Sequence, residues 1–104
     1  MRLTLQDVKI IYIGTLHPSH YDLVLASLQA GKHVVVEKPA VLNAAEWAHL
    51  VSVAKERNLF LMEAFWTRFQ PAVQRLWDVL HKDKAIGEVR GVTSDFSVIN
   101  YNGT

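Results

Sequence analysis

The run VVVEKPAVLN, Val34 to Asn43, carries three β-branched residues straight into a glutamate, a lysine and a proline. A hydrophobic core has no need of that sequel. A lysine placed just after a buried strand sits at a low-dielectric edge. Its ammonium can there donate a hydrogen bond to a substrate oxygen, stabilise negative charge on it, or pass a proton once its pKa is lowered. Equally, Lys38 can be a surface side chain in a strand-to-helix turn that Glu37 and Pro39 merely shape, and sequence physics leaves both readings open. A cis bond before Pro39 would aim Lys38 at a fixed point, whereas a trans proline that ends the strand is the commoner arrangement.

Two further clusters carry polar or aromatic groups that a plain turn does not require. In GTLHPSH, His17 and His20 lie three apart at a loop-helix junction, close enough to face one pocket. His17 suits a polar contact to a ligand, and His20 also fits an ordinary place in a first helical turn. With no cysteine and no HExxH pattern, a metal site is not expected there. In EAFWTRF, Trp66 beside Arg68 could line a pocket for a sugar or a ring-shaped substrate, or could pack one layer against another. His33, His49 and His81 all have structural explanations, the last through a helix dipole. The five glycines form neither GxGxxG nor a Walker A loop, and GxSxG is missing as well.

The elements that must position these clusters are legible from periodicity. VKIIYIG, Val8 to Gly14, reads as a buried strand. A helix follows, with Ser19 and Asp22 as a capping pair, Tyr21, Val24, Leu25 and Leu28 on one face, and Gly31 at its C-terminal stop. HVVVEKP reads as a second strand covered on both faces. Asn43 with Glu46 caps the next helix, whose Trp47, Leu50, Val51 and Ala54 repeat at helical spacing up to a stop at Asn58. LFLM, Leu59 to Met62, is the third strand. Pro71 opens a helix with Val73, Leu76, Trp77 and Leu80 as a buried stripe.

Alternation of this kind predicts an α/β fold with a parallel sheet and right-handed crossovers. In open parallel sheets ligands bind outside the carboxyl ends of the strands, so the three clusters should converge on one site. Beyond Gly87 the pattern changes. EVRGVTSDFSVI alternates like a mixed strand, with Arg90, Val92, Ser94, Phe96 and Val98 on one face, and no partner strand is in sight. The chain therefore reads as the middle of something larger.

Composition sets the class. With 104 residues, half of them apolar, one in five charged and a net charge of +1, the chain has the make-up of one ordinary globular domain. No strong pull toward nucleic acid or an anionic membrane follows, and no window approaches the roughly 18 apolar residues of a membrane span. The lack of cysteine fits a reducing compartment, with the cytoplasm as the default expectation.

Taken together, IYIGTLHPSHY, AGKHVVVEKPAVLNAAEW and LFLMEAFWTRFQPAVQRL resemble the Gfo/Idh/MocA oxidoreductase family, in its order and spacing, over about Asp7 to Val98. Within the family they are similar to the branch of dimeric dihydrodiol dehydrogenases and NADP-dependent D-xylose dehydrogenases. The resemblance implies a partial Rossmann-type parallel sheet with flanking helices. Residues 1–86 would be the C-terminal part of a dinucleotide-binding domain, and 87–104 the first strand of a second α/β substrate and dimerisation domain.

It also implies that Lys38 stands at the reacting hydroxyl or carbonyl as the catalytic residue. Gly14, Thr15, His17, His20, Glu37, Lys38 and Pro39 would line the cofactor, and Trp66 and Arg68 the substrate. NADP is the implied cofactor, with NAD possible, and the implied substrate is a small molecule, D-xylose-like or a trans-dihydrodiol. A homodimer is implied for the full-length protein. The glycine-rich pyrophosphate loop and a further catalytic Tyr or His would lie outside these residues, so the isolated chain is expected to be inactive. The alternative from another class is a non-catalytic remnant whose exposed sheet edge or Trp66-Arg68 surface binds another protein.

Overall fold

The computed structural model describes residues 7–95 and residue 97. Two compact units are present, one running to Trp66 and the other beginning at Thr67.

The first unit is built from β1 (Ile10–Ile13), α1 (His20–Gln29), β2 (His33–Glu37), α2 (Ala44–Glu56) and β3 (Leu61–Ala64). The strands form one parallel sheet in the order β1-β2-β3, with Ile13 beside Val36 and Val36 beside Glu63. Both strand-to-strand connections run through a helix, as parallel pairing demands. The α/β class and the parallel sheet expected from the alternation are present, as is the Rossmann-type arrangement that the resemblance implies.

Alternation along β2 explains the layer arrangement. Val34 and Val36 are fully buried and belong to one cluster with Val24, Leu28, Leu50 and Ala54 of the two helices. Side chains at i and i+2 share a sheet face, so Tyr12, Val35 and Glu37 lie on the opposite one. Each fully buried leucine or valine contributes about 1.5–3 kcal/mol relative to exposure.

Helix ends follow the sequence closely, with one exception. Asn43 accepts the Glu46 N–H at 2.9 Å, and Glu46 reaches back to the Leu42 N–H at 3.2 Å, so the expected cap of α2 is made. At the far end of α1, Gly31 adopts φ +73°, and the Lys32 N–H reaches Ser27 O at 3.0 Å. The same 6→1 closure ends α2, where Asn58 takes φ 54° and the Leu59 N–H reaches Ala54 O at 2.8 Å. Because Leu59 is spent on that closure, β3 starts at Leu61 rather than at Leu59. The exception is Ser19. A 3-10 turn over His17–Ser19 precedes α1 and leaves Ser19 in helical φ/ψ, so its hydroxyl turns back to lie 2.8 Å from both Thr15 Oγ1 and Leu16 O. No capping pair with Asp22 forms.

The second unit holds α3 (Pro71–Trp77), which continues into a π-type turn over Asp78–Lys82. Proline opens the helix as expected. The buried stripe does not appear: Leu76 is 55% and Trp77 61% exposed. A single helix has no second layer to bury it. Trp77 instead stacks on His81 with ring centroids 3.9 Å apart. The strand expected after Gly87 is likewise not formed over residues 88–95, where no strand partners it. Phe96 and Val98 lie outside the described residues.

Candidate active site

At the carboxyl edge of the sheet, the peptide Glu37 to Ala40 is held by side chains from three neighbouring elements. Pro39 has no amide hydrogen, so the polar backbone groups near it need partners from elsewhere. The bond between Lys38 and Pro39 is cis, against the commoner trans expectation.

From β1, the Tyr12 hydroxyl donates to Glu37 Oε1. The Lys38 N–H donates to the other carboxylate oxygen at 3.2 Å. These two donors, the tyrosine first, hold the Glu37 carboxyl below the usual carboxylate range, against a smaller opposing effect of desolvation. The same hydrogen bond pushes the Tyr12 phenol up. The tyrosine ring lies so close over Gly14 that a Cβ there would stand 3.1 Å from Tyr12 Cε1. Glycine is what lets the ring cross the start of the loop.

From α1, His20 is fully buried. Its Nδ1 lies 3.0 Å from Pro39 O and its Nε2 3.0 Å from Thr15 O, so one imidazole ties the GTLHPSH loop to the EKP turn. His17 is exposed, with its ring centroid 5.6 Å from that of His20 in a T-shaped arrangement. From β3, Glu63 Oε1 accepts the Ala40 N–H at 3.0 Å.

Lys38 is left exposed at the apex of this turn. No hydrogen bond or ion pair among the described residues engages the Lys38 ammonium, whose charge acts on the neighbouring Glu37 carboxyl. A cation fixed at its base and unpaired at its tip can meet a substrate oxygen.

Two of the three clusters, GTLHPSH and EKP, meet at this edge, with Gly14, Thr15, His20, Glu37, Lys38 and Pro39 within one set of contacts, and of the third cluster Glu63 reaches the turn. Trp66 is 59% exposed just beyond β3. Arg68 belongs to the second unit, where it lines a cavity of about 690 Å³ with Val73, Gln74, Trp77, Asp78 and Lys82. The remaining histidines are structural: His33 Nδ1 accepts the Phe60 N–H at 2.9 Å, and His49 Nδ1 lies 2.7 Å from the Tyr21 hydroxyl. Among the described residues there is no group of three or more His, Asp or Glu that could hold a metal ion, and no helix is long and apolar enough to cross a membrane.

Two residues at this edge escape sequence reasoning. Tyr12 sits in the middle of an apolar run, and its partner is 25 positions away. Glu63 had a signal of its own, a carboxylate beside a strand, because a charge placed there must find a donor.

Comparison with known proteins gives the family and the fold. The profile of the Gfo/Idh/MocA oxidoreductases, a family with an NAD-binding Rossmann fold, matches residues 2–65. The chain is 44% identical over 95 residues to trans-1,2-dihydrobenzene-1,2-diol dehydrogenase of Xenopus tropicalis, covering 91% of this chain and 28% of that protein. The enzyme of the same name from Sus scrofa is 50% identical over 90 residues, 86% of this chain and 27% of its own. The chain thus spans less than a third of the length of the curated relatives it matches. Among solved structures, a 3-ketoreductase from Actinomadura kijaniata in complex with TDP-benzene and NADP superposes with a TM-score of 0.69 at 34% identity, over 73% of this chain and 24% of that one. An NAD-binding protein from Listeria innocua gives 0.73 at 31%, over 80% and 24%.

Proposed function

This chain belongs to the Gfo/Idh/MocA family of oxidoreductases with an NAD-binding Rossmann fold, and from that premise we propose that it is part of an NADP-dependent dehydrogenase acting on a secondary alcohol. The substrate is a trans-dihydrodiol or a sugar of the D-xylose kind. The relatives' name supports the first, and the NADP held by the ketoreductase supports the cofactor. Residues 1–86 form the C-terminal part of the cofactor domain in this reading, and 87–104 begin the substrate and dimerisation domain.

The observation that carries the proposal is the unpaired Lys38 on a turn clamped at the carboxyl edge of a parallel sheet, the place where such sheets bind their ligands. The donor set fits the nicotinamide end of the cofactor. Gly14 leaves room for the Tyr12 ring at the start of the loop after β1, Thr15 and His17 are exposed beside it, and the Glu37 carboxylate is fixed by two donors. Lys38 and the cis-linked Pro39 face solvent at the same edge.

When bound, the nicotinamide supplies the hydride acceptor or donor. The chain's own residues position and polarise. Lys38 hydrogen-bonds the substrate oxygen and stabilises the negative charge that develops as its proton leaves or arrives. Glu37 and Pro39 shape the nicotinamide side, while Trp66 and Arg68 serve the substrate. His20, being buried with both ring nitrogens against backbone carbonyls, serves the cofactor through the two loops it joins.

The test is reduction of NADP, followed by the absorbance of the reduced cofactor, by the native polypeptide that carries this sequence. It is run with trans-1,2-dihydrobenzene-1,2-diol and with D-xylose, and repeated with NAD. Turnover with either substrate and preference for NADP are expected. No reduction with either substrate and either cofactor would overturn the proposal. The 104 residues by themselves carry no glycine-rich pyrophosphate loop and are expected to show no turnover.

A further inference from the structure

Three polar backbone groups of the turn that presents Lys38 are held by side chains. The Lys38 N–H goes to Glu37 Oε2, Pro39 O lies against His20 Nδ1, and the Ala40 N–H goes to Glu63 Oε1. The partners come from both sides of β2 and from both faces of the sheet. Tyr12 stands on β1 and reaches Glu37 across the face that α1 and α2 leave uncovered. Glu63 stands on β3 beside Val36, and therefore on the face packed by the helices.

Glu63 is half-buried where it is. Its neighbour Val36 is fully buried, Ala40 is 5% exposed, and a carboxylate among such groups loses hydration unless a donor replaces it. An apolar residue would fill that place in a strand without this requirement. Tyr12 likewise spends a hydroxyl at a strand position where a valine would pair as well, and it requires glycine at position 14 to pass.

We propose that Glu63 and Tyr12 are positioning residues for Lys38, holding the Glu37–Ala40 turn from the two flanking strands so that the lysine keeps one orientation toward substrate. Neither touches the reacting atoms. The catalytic part of this inference rests on the dehydrogenase reading above, while the structural part stands on the hydrogen bonds alone.

The test uses three variants of the native polypeptide. Glu63→Ala removes the acceptor, Glu63→Gln keeps an acceptor oxygen without the charge, and Tyr12→Phe keeps the ring over Gly14 without the hydroxyl. Amide hydrogen exchange is read at Ala40, with Val34 and Val36 as internal controls, alongside kcat and KM. In Glu63→Ala the Ala40 amide should exchange faster while the β2 amides are unchanged, and kcat should fall by roughly 10–100-fold with KM for the cofactor nearly unmoved, as a displaced catalytic group does. Glu63→Gln should restore both, to within about threefold in kcat, because the hydrogen bond and not the charge does the holding. Tyr12→Phe should lower kcat in the same KM-sparing way.

Unchanged Ala40 exchange in Glu63→Ala would overturn the clamp. Faster exchange with kcat unchanged would overturn its catalytic purpose. A parent that turns over no substrate would sink the dehydrogenase reading and the catalytic half with it, and the exchange data would still decide the clamp.

Discussion

Replacing Leu50 by alanine should unfold the first unit at much lower denaturant, because this side chain joins the sheet to α2 immediately after the Lys38 turn. Leu50 has no exposed surface and shares its cluster with Leu28, Val34 and Val36. Removing three carbons there forfeits their transfer free energy and leaves a cavity, a loss of about 2–5 kcal/mol in well-packed cores. For a small domain in urea, with a slope of roughly 1–3 kcal/mol per molar, a loss near the middle of that range lowers the midpoint by about 2 M. The assay is urea unfolding followed by far-UV circular dichroism and by tryptophan emission, since Trp47 packs against this cluster. Leu76→Ala is the control. Leu76 is 55% exposed on α3, and truncation there should stay within about 0.5 kcal/mol. Equal midpoints for the two variants would refute the location of the core, and with it the layer that supports the EKP turn.

Asn43→Ala should cost about 1 kcal/mol by removing the side-chain acceptor for the Glu46 N–H, read as a fall in thermal midpoint that Asn43→Asp does not reproduce. The Glu37 carboxyl, held low chiefly by the Tyr12 hydroxyl, should titrate below its ordinary value of 4.5 by carbon-detected NMR and move up in Tyr12→Phe. The sign follows from the lowered value: the stability this group contributes is present above the unfolded pKa and is lost as pH falls through the folded one. A Tyr12→Phe variant with an unmoved Glu37 titration would show that another donor holds the carboxylate.

Much of this was legible in the residues, for reasons that can be named. The VVV run had to be a strand and Asn43 three before Glu46 had to start a helix, because both signals are local. The cover on both faces that a continuous apolar run predicts is not there: Val35 is half-buried and Tyr12 is 62% exposed on the face no helix packs. Convergence of GTLHPSH and EKP at one edge followed from parallel topology rather than from any single residue. Misses arose where a distant or competing partner decides. Ser19 has the right spacing to cap α1, but the 3-10 turn before it redirects the hydroxyl. Leu76 and Trp77 have helical spacing, yet periodicity says only which face is apolar and nothing of whether a second layer covers it. His20 was readable as a histidine near a ligand. Its two carbonyl partners, five and nineteen residues away, show it as the tie between loops. Tyr12 and Glu63 act through neighbours that only the fold supplies.

The most direct measurement is turnover by Lys38→Met in the native polypeptide, alongside its thermal midpoint and its affinity for NADP. Lys38 is exposed, and its ammonium makes no hydrogen bond or ion pair among the described residues, so the midpoint should stay at the parent's value. On the proposed role for Lys38 at the reacting oxygen, its loss should lower kcat/KM by roughly 10²–10³-fold, the scale set by removing one such donor. Turnover within threefold of the parent, with folding and cofactor binding intact, would contradict the claim that this turn exists to present a catalytic lysine.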